Sequence, residues 1–290
     1  MSIPAGERLL SGETRVAGVV GRPVRHSLSP LIHSAWIAAA GLDAVYAPFP
    51  IPEDGFPRFV EGMRGGVVRG VNVTVPFKED ALTLADESDL LARRSGAANI
   101  LLFHEDGRIE ARNTDGPGML QALAEVPGLD LQAGPVVVLG AGGAARGAGA
   151  ALVAAEVAEL RLVNRTWSKA AGLSEAFPRT YPFAWEDMAK AFDGAVAVIN
   201  ATAAGLGGQD PLAGLPLDAL PPEAVVMDMV YKPLETELLR AARASGRRTV
   251  DGLSMLVNQA IPSFEAFYGR PPPPEPDVRG LCLQRLEPPA

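Results

Sequence analysis

A glycine-rich turn between an apolar strand and a helix of small residues constrains the fold most strongly. Pro135 to Leu139 is predicted to form a buried strand, and Gly140-Ala141-Gly142-Gly143-Ala144-Ala145 follows it directly. This is the G-x-G-x-x-G/A spacing, in which one glycine permits a tight turn and the next lets a pyrophosphate approach the helix amides. Glycines also occur this way in simple turns, but the flanking strand and helix favour a dinucleotide-binding domain.

The end of the next predicted strand, Glu159 to Val163, indicates which dinucleotide fits. NAD sites usually carry an acidic residue there for the ribose 2′-hydroxyl, whereas an arginine accommodates a 2′-phosphate. This strand is followed by Asn164-Arg165-Thr166 and, shortly afterwards, by Lys169. Arg165 could stack on adenine and pair with the phosphate through its planar guanidinium, and Lys169 could add charge. We therefore predict NADP as the cofactor.

Strands and helices alternate along most of the chain, which predicts an α/β protein: an N-terminal α/β substrate domain and a Rossmann-type nucleotide domain. Val196 to Ile199 and Val225 to Met229 are two further buried strands of the nucleotide domain. Ligands of such sheets bind at the carboxyl ends of the strands. We therefore expect Thr202 and Met229 in the cofactor site.

Length, charge and histidine content limit the remaining possibilities. A chain of 290 residues exceeds the usual single core, so two domains are expected. A net charge of -8 argues against general nucleic-acid binding, which needs a basic surface. We therefore expect a small-molecule substrate whose charge is met by local donors. His26, His33 and His104 are scattered, without cysteines or carboxylates at metal-ligand spacing, and we predict no metal.

Cysteine usage and apolar runs bear on the cellular compartment. Cys282 is the only cysteine, so no internal disulfide can form, which favours a reducing cytoplasm. Residues 1–16 carry charges and no apolar block of signal-peptide length, so we expect no secretory export. Glycines and Arg146 interrupt the most apolar stretch, residues 136–157, so we expect no membrane span.

A second stretch, Val71-Asn72-Val73-Thr74-Val75-Pro76-Phe77-Lys78, carries polar side chains that packing alone does not require. In a strand over residues 71–75 the valines share one face, while Asn72 and Thr74 share the other. Pro76 should end this strand, and a helix should begin at Lys78. The amide, hydroxyl and ammonium groups could then hold a polyhydroxylated small molecule. The alternative is an edge strand with a solvated face and an ordinary surface lysine.

Two serines mark a loop that leads from the strand Val16 to Val20 into a helix. Ser27 and Ser29 precede Pro30, which is typical of the first position of a helix. The free amides of a helix start favour an anion. Both serines could instead be helix caps, and taken alone capping is the commoner role.

Three more polar residues lie within or directly before predicted elements. Asn99 is the single amide in a strand expected over Ser95 to Phe103, and Asp115 precedes a helix, where capping is its default role. Glycines beside Asp115 would nevertheless let another molecule approach the backbone. Gln259 lies in a helix that could return to pack on the first domain, and such a residue is more often at the surface than in a site.

Taken in order, from about Val16 to Gly269, the motifs resemble those of the shikimate dehydrogenase family, which includes quinate dehydrogenases. The matching motifs are His26-Ser27-Leu28-Ser29-Pro30, Asn72 to Lys78, Asn113-Thr114-Asp115-Gly116, Gly140 to Ala144, Asn164-Arg165-Thr166, Asn200-Ala201-Thr202 and Asp251-Gly252-Leu253 with Gln259. The resemblance implies an NADPH-dependent, reversible reduction of 3-dehydroshikimate to shikimate, a step of chorismate and aromatic amino-acid biosynthesis.

The resemblance also implies residue roles. Lys78 and Asp115 would form the catalytic pair, and Gly252 would join the cofactor site. Ser27 and Ser29, helped by Tyr231, would hold the substrate carboxylate. The ring hydroxyls would be bound by Asn72, Thr74, Asn99, Asp115 and Gln259. Residues 1–115 and 253–290 would form the substrate-binding and catalytic domain, and residues 116–252 the NADP-binding domain.

Two departures from the family pattern leave substrate tuning open. Ile100 stands where family members often have threonine, and Ala203-Ala204 where they often have serines. Two alternatives therefore stand beside the main hypothesis: a quinate or aminoshikimate dehydrogenase on the same scaffold, and a noncatalytic NADP-binding sensor. Dimers are common in the family, so a homodimer is one assembly that the resemblance offers.

Overall fold

The computed structural model describes residues 10–66, 68–202, 212 and 214–286, which divide into two compact units. The first unit comprises Met1–Asp89, Ala97–Arg112 and Ala260–Ala290, and the second comprises Leu90–Gly96 and Asn113–Gln259. Each unit contains one six-stranded sheet with helices. The predicted α/β class is therefore confirmed.

The elements are numbered in chain order. The strands are β1 Arg15–Gly21, β2 Ala44–Pro50, β3 Val68–Val73, β4 Glu87–Ser88, β5 Ile100–Phe103, β6 Ile109–Arg112, β7 Pro135–Leu139, β8 Glu159–Asn164, β9 Thr180–Ala184, β10 Ala197–Asn200, β11 Val225–Asp228 and β12 Arg248–Val250. The helices are α1 Ser29–Ala39, α2 Phe56–Glu61, α3 Lys78–Leu84, α4 Leu90–Ser95, α5 Asp115–Ala124, α6 Gly143–Ala154, α7 Trp167–Ser174, α8 Met188–Phe192, α9 Glu237–Ala244, α10 Gly252–Tyr268 and α11 Val278–Leu286.

The sheet of the first unit has the order β2-β1-β3-β5-β6-β4. Parallel pairing joins β1 to β2 and β3, and β5 and β6 form an antiparallel hairpin. Because β3 pairs on both sides, the edge-strand interpretation of residues 71–75 is wrong. The strand also ends earlier than predicted, at Val73: the Phe77 N–H donates to the Thr74 carbonyl oxygen at 3.0 Å, which turns the chain, and Val75 is 60% exposed.

Two predicted elements differ from the structure for local reasons. A strand was expected from Ser95, but Ser95 ends α4, and β5 begins only at Ile100. Gly96, at φ +69°, supplies the left-handed conformation that commonly ends a helix. The six residues of α4 are too few to show a helical period, and the helix packs on α6 within the second unit.

The sheet of the second unit is fully parallel, in the order β12-β11-β10-β7-β8-β9. Val136 and Val138 of β7 pack in one core cluster, while Val137 and Leu139 pack in another, so the strand is buried on both faces. The strand order reverses between β7 and β10. Ligands of open α/β sheets bind at such a reversal.

The C-terminal helices return to the first unit, as predicted. The helix α10 begins in the second unit and ends in the first, and α11 packs against α1. Phe264 and Phe267 of α10 join an aromatic cluster with His33 and Trp36 of α1 and Tyr46 of β2. Among the described residues, no helix combines the length and apolar character that crossing a membrane requires.

Candidate active site

In the first unit, the predicted substrate residues gather at one edge of the sheet. β1 and β3 are parallel neighbours, and β5 runs antiparallel to β3, so the ends of β1 and β3 and the start of β5 meet there. Ser29 begins α1 after β1, Asn72 and Thr74 lie at the end of β3, and Asn99 directly precedes β5. Lys78 begins α3 after a short turn, so the edge combines hydroxyl, amide and ammonium groups.

Asn72 is 6% exposed, and its amide is held from three directions. Its Nδ2 donates to the Asn99 carbonyl oxygen at 3.2 Å and to Ser263 Oγ at 2.9 Å, and its Oδ1 accepts from the Tyr46 hydroxyl at 2.7 Å. Both N–H groups of this amide therefore have partners within the unit. What remains for a ligand is acceptor capacity on Oδ1.

The two serines are held differently. Ser27 Oγ accepts the backbone N–H of Ser29 at 3.2 Å. Neither serine is the N-cap of α1, because that position is Leu28 and the helix has no side-chain cap bond. Ser29 is 6% exposed, and Tyr46 of β2 is also buried. Burial raises the pKa of Tyr46 well above its ordinary value, so this phenol is neutral at physiological pH.

Close backbone contacts fix the residues after β3. A Cβ atom at Gly21 would lie 2.2 Å from Thr74 Cγ2, so only glycine admits the threonine there. The Thr74 N–H donates to the Val20 carbonyl oxygen at 2.9 Å, and the Lys78 carbonyl oxygen accepts the Ala98 N–H at 2.8 Å. The start of α3 is therefore tied to the segment that carries Asn99.

In the second unit, Asp115 begins α5, and Gln259 of α10 contacts Thr114 and Gly118 on either side of it in the chain. Asn113 Oδ1 accepts the Asp115 N–H at 3.0 Å, so Asn113 bonds to the first backbone amide of α5. Thr114 occupies the N-cap position, but its side chain makes no cap bond. Thr114 Oγ1 lies 3.5 Å from Gln259 Oε1. Gln259 is 7% exposed, so the surface interpretation of this residue is wrong. A Cβ atom at Gly118 would lie 2.6 Å from Gln259 Cβ, so this glycine permits the contact.

The glycine turn has the geometry that a pyrophosphate needs. Gly140 adopts φ +113°, which favours glycine, and a Cβ atom on it would lie 3.1 Å from Thr202 Cγ2. Gly142 and Gly143 are exposed, and a Cβ atom on either would meet nothing within 4 Å. Ala145 is fully buried, as close packing of helix on strand requires. The start of α6 therefore offers free space and backbone amides to a ligand. Ala141 and Ala144 flank the two exposed glycines.

The end of β8 carries the predicted 2′-phosphate group of residues. Asn164 is its last residue, and Asn164 Nδ2 donates to the Thr166 carbonyl oxygen at 2.9 Å. Arg165, Thr166 and Lys169 are exposed. Two cations therefore stand at the end of the strand next to β7, where an acidic residue would favour NAD.

Asp228, which sequence reasoning missed, organises the ends of β10 and β11. Its fully buried carboxylate accepts hydrogen bonds from Asn200 Nδ2 at 2.9 Å, from the Val230 N–H at 2.9 Å and from Thr236 Oγ1 at 2.7 Å. Asn200 Oδ1 in turn accepts from the Thr202 N–H and hydroxyl. A lone carboxylate in the apolar run Val225 to Met229 was the available signal.

The remaining predicted ligands follow these strands. Met229 comes directly after β11, and its N–H donates to the Asn200 carbonyl oxygen at 3.1 Å, while Gly252 begins α10 beside it. Tyr231 lies half-buried two residues further on. The predicted ligands thus fall into one set per unit: the first unit holds Ser27, Ser29, Asn72, Thr74, Lys78 and Asn99, and the second holds the others.

Tyr46 and Ser263 are two further residues that sequence reasoning missed. Tyr46 carries a hydroxyl near the start of a strand whose neighbouring residues are apolar, and Ser263 lies one helical turn after Gln259. Each of these positions only weakly indicated a role in the site. Of the two family departures, Ile100 is fully buried in β5. Ala203 and Ala204 lie outside the described residues.

A cluster of possible metal ligands, which the linear spacing of residues did not reveal, lies elsewhere in the first unit. Single ligand atoms of Glu87, His104 and Glu110 lie within 4.8 Å of one another. Arg108 pairs with Glu87, and Arg112 pairs with Glu110, each at 2.5 Å. Both carboxylates therefore already have cationic partners.

The fold and these two sets of residues define the class of protein: an α/β oxidoreductase with a substrate unit and a dinucleotide-binding unit. Family models give the particular assignment. The model described as the shikimate dehydrogenase substrate binding domain matches residues 19–101, and the model described as shikimate / quinate 5-dehydrogenase matches residues 122–206. The chain belongs to the shikimate dehydrogenase family.

Individual relatives agree with this assignment. Shikimate dehydrogenase (NADP(+)) of Caulobacter vibrioides is 56% identical over 96% of this chain and 98% of its own length. The shikimate 5-dehydrogenase of Thermus thermophilus, solved with NADP(H) and shikimate, is 36% identical with a TM-score of 0.82, over 94% of this chain and 100% of that one. A quinate dehydrogenase of Corynebacterium glutamicum, solved with NAD, is 29% identical with a TM-score of 0.83, over 93% and 99%.

Proposed function

We propose that the chain catalyses the reversible, NADPH-dependent reduction of 3-dehydroshikimate to shikimate in aromatic amino-acid biosynthesis. The observation that carries the proposal is the sheet edge of the first unit, where Ser29, Asn72, Thr74 and Asn99 lie at the same edge as the start of α3 and Lys78. These groups suit a substrate with a carboxylate and several hydroxyls. The family's relatives, including the Caulobacter enzyme at 56% identity, support the same activity.

The substrate roles follow from the chemistry of each group. Ser27 and Ser29, with Tyr231, hold the carboxylate, because hydroxyls can donate to it. Thr74, Asn99, Asp115 and Gln259 bind ring hydroxyls. The role of Asn72 is narrower, because both of its N–H groups are donated within the unit: Asn72 accepts a hydrogen bond from a ring hydroxyl through Oδ1 and donates none.

Lys78 and Asp115 form the proposed catalytic pair. The bound NADPH supplies a hydride to the C3 carbonyl carbon. The ammonium of Lys78 donates a proton to the carbonyl oxygen, so that the carbonyl becomes a secondary alcohol, and the same lysine accepts the proton in the reverse direction. The family resemblance assigns Asp115 the role of holding Lys78 in place. A positioned acid of this kind contributes about 10² to 10⁴ in rate.

The cofactor assignment rests on two features of the second unit. Free space at Gly142 and Gly143 lets the pyrophosphate reach the amides of α6. At the end of β8, Arg165 and Lys169 suit a 2′-phosphate. Residues 116–252 would then act as the NADP-binding domain, and residues 1–115 with 253–290 as the substrate-binding and catalytic domain.

We also propose that the enzyme works in the cytoplasm as a homodimer. The single cysteine, Cys282, is buried and unpaired, which suits a reducing compartment that maintains NADPH. The dimer is a common assembly in the family. Light scattering on the purified chain tests it: the dimer predicts twice the mass of one chain, and a single-chain mass contradicts it.

Quinate dehydrogenase is the second candidate function, and a structural neighbour favours it: the Corynebacterium quinate dehydrogenase has a TM-score of 0.83. The two functions differ in substrate and cofactor. Steady-state rates with shikimate and quinate, each with NADP and NAD, separate them. We expect shikimate with NADP to give the highest kcat/KM, and a preference for quinate with NAD would overturn the proposal. Tight NADPH binding without turnover of any of these substrates would instead indicate the noncatalytic sensor.

A further inference from the structure

We propose that Tyr46 is a positioning residue, which holds the Asn72 amide in the orientation that binds a substrate hydroxyl. The proposal rests on the proposed function, because it takes Asn72 as a substrate ligand. Tyr46 lies in β2 and is 5% exposed. Its hydroxyl donates to Asn72 Oδ1 at 2.7 Å, so the atom that would accept the substrate hydroxyl is itself fixed.

The chemistry of the neighbours determines the orientation of the Asn72 amide. The Asn99 carbonyl oxygen can only accept, so the Asn72 atom 3.2 Å from it must be Nδ2. Oδ1 therefore faces the Tyr46 hydroxyl, which donates to it at 2.7 Å. Ser263 Oγ accepts the other N–H at 2.9 Å. The amide is thus locked in one orientation, with its oxygen anchored by Tyr46.

The bond to Asn72 uses the only hydrogen of the Tyr46 hydroxyl, because a phenol has a single O–H donor. Loss of the Tyr46 oxygen therefore removes the anchor from Asn72 Oδ1, although the ligand residue itself is unchanged.

The ring of Tyr46 is held independently of its hydroxyl. The His33 ring stacks on it at 4.1 Å with an angle of 6° between the planes, and the Phe267 ring lies 6.3 Å away. A phenylalanine at residue 46 would keep these ring contacts. The substitution Tyr46→Phe therefore removes the hydrogen bond to Asn72 and leaves the packing in place.

The aromatic cluster also offers a matched control. Tyr268 is 4% exposed, its ring lies 4.8 Å from Phe264, and its hydroxyl donates to the Val45 carbonyl oxygen at 3.3 Å. Tyr268→Phe therefore deletes a buried hydroxyl from the same cluster without touching Ser29 or Asn72. Any loss of shikimate affinity that both variants share is therefore a structural effect of removing a buried hydroxyl.

The experiment compares wild type, Tyr46→Phe and Tyr268→Phe by shikimate titration calorimetry and by steady-state kinetics. We expect Tyr46→Phe to raise the Kd and KM for shikimate by about five- to tenfold, the effect of one lost buried hydrogen bond, with an unchanged KM for NADP. Tyr268→Phe should leave both constants at wild-type values. Ser263→Ala, which removes a different bond to the same amide, should weaken shikimate binding in the same direction.

The coupling between Tyr46→Phe and Asn72→Ala, measured on the shikimate Kd, distinguishes a positioning role from a purely structural one. In an Asn72→Ala background, the effect of Tyr46→Phe on the shikimate Kd should fall by at least half. An undiminished effect there, an unchanged shikimate Kd in Tyr46→Phe, or equal losses in both tyrosine variants would overturn the proposal. If wild type binds shikimate but does not turn it over, the proposed function fails, while the Kd comparison still decides the role of Tyr46. If wild type does not bind shikimate, both are overturned.

Discussion

Gly252, the first residue of α10, lies directly against the backbone of Met229: a Cβ atom at residue 252 would be 2.5 Å from the Met229 carbonyl oxygen. No rotamer change can relieve this contact, because the atom opposite belongs to the main chain. Both residues are proposed cofactor ligands. The glycine therefore sets how closely the start of α10 approaches the end of β11.

Gly252→Ala should weaken NADP binding. An extra carbon in a packed contact costs about 1 to 3 kcal/mol, or about 5- to 150-fold if the whole cost falls on the cofactor site. Fluorescence titration with NADPH measures the effect. Gly172→Ala is the control, because a Cβ atom there meets nothing within 4 Å, and it should bind NADPH normally. Wild-type affinity in Gly252→Ala would contradict the assignment of Gly252 and Met229 to the cofactor site.

Arg165→Ala should reduce the preference for NADP over NAD. The exposed guanidinium at the end of β8 is assigned to the 2′-phosphate, and a hydrogen-bonded charge of this kind contributes about 10- to 150-fold in affinity. We expect the KM for NADP to rise within that range while the KM for NAD changes little. Arg58→Ala, an exposed arginine of α2, should change neither constant. Equal rises for both cofactors would show that Arg165 does not read the phosphate.

His33 should make the folded protein sensitive to acid. Neither ring nitrogen has a hydrogen-bond partner, and burial lowers the pKa of His33 from 6.5 to about 3. Between these values the unfolded chain binds a proton that the folded chain does not. Stability should therefore fall with decreasing pH, by up to about 1.4 kcal/mol per pH unit from this group.

His33→Phe tests this pH dependence, because it keeps an aromatic ring on Tyr46 and removes the titrating group. Urea unfolding at pH 7 and pH 4 should show a smaller loss of stability in His33→Phe than in wild type. The substitution should also cost little at pH 7, since it removes two buried nitrogens that have no partners. Equal losses of stability on acidification would contradict the lowered pKa of His33.

Sequence alone predicted features whose causes are local. The strand β7 was predictable because it is apolar on both faces. The turn at Gly140 that follows it was predictable because its conformation depends on a few consecutive residues. The same holds for the start of α3 at Lys78. The absence of an acidic residue after β8 is also visible in the chain itself.

Features that depend on distant residues could not be predicted in this way. The bonds that fix Asn72 join it to Tyr46, 26 residues away, and to Ser263, 191 residues away. The helix α4 is only six residues long, and it packs on α6 within the second unit. Sequence patterns predicted amide and hydroxyl ligands, but which hydrogen-bonding atoms of these residues remain available was visible only in the fold.

Turnover of 3-dehydroshikimate with NADPH by Lys78→Ala is the most direct test of the proposed chemistry. The account predicts a loss of about 10² to 10⁴ in kcat, equivalent to roughly 3 to 5 kcal/mol in the barrier, because the carbonyl oxygen loses its proton donor. NADPH binding should stay at the wild-type level. Near-normal kcat in Lys78→Ala, measured as NADPH oxidation at saturating substrate, would contradict the account.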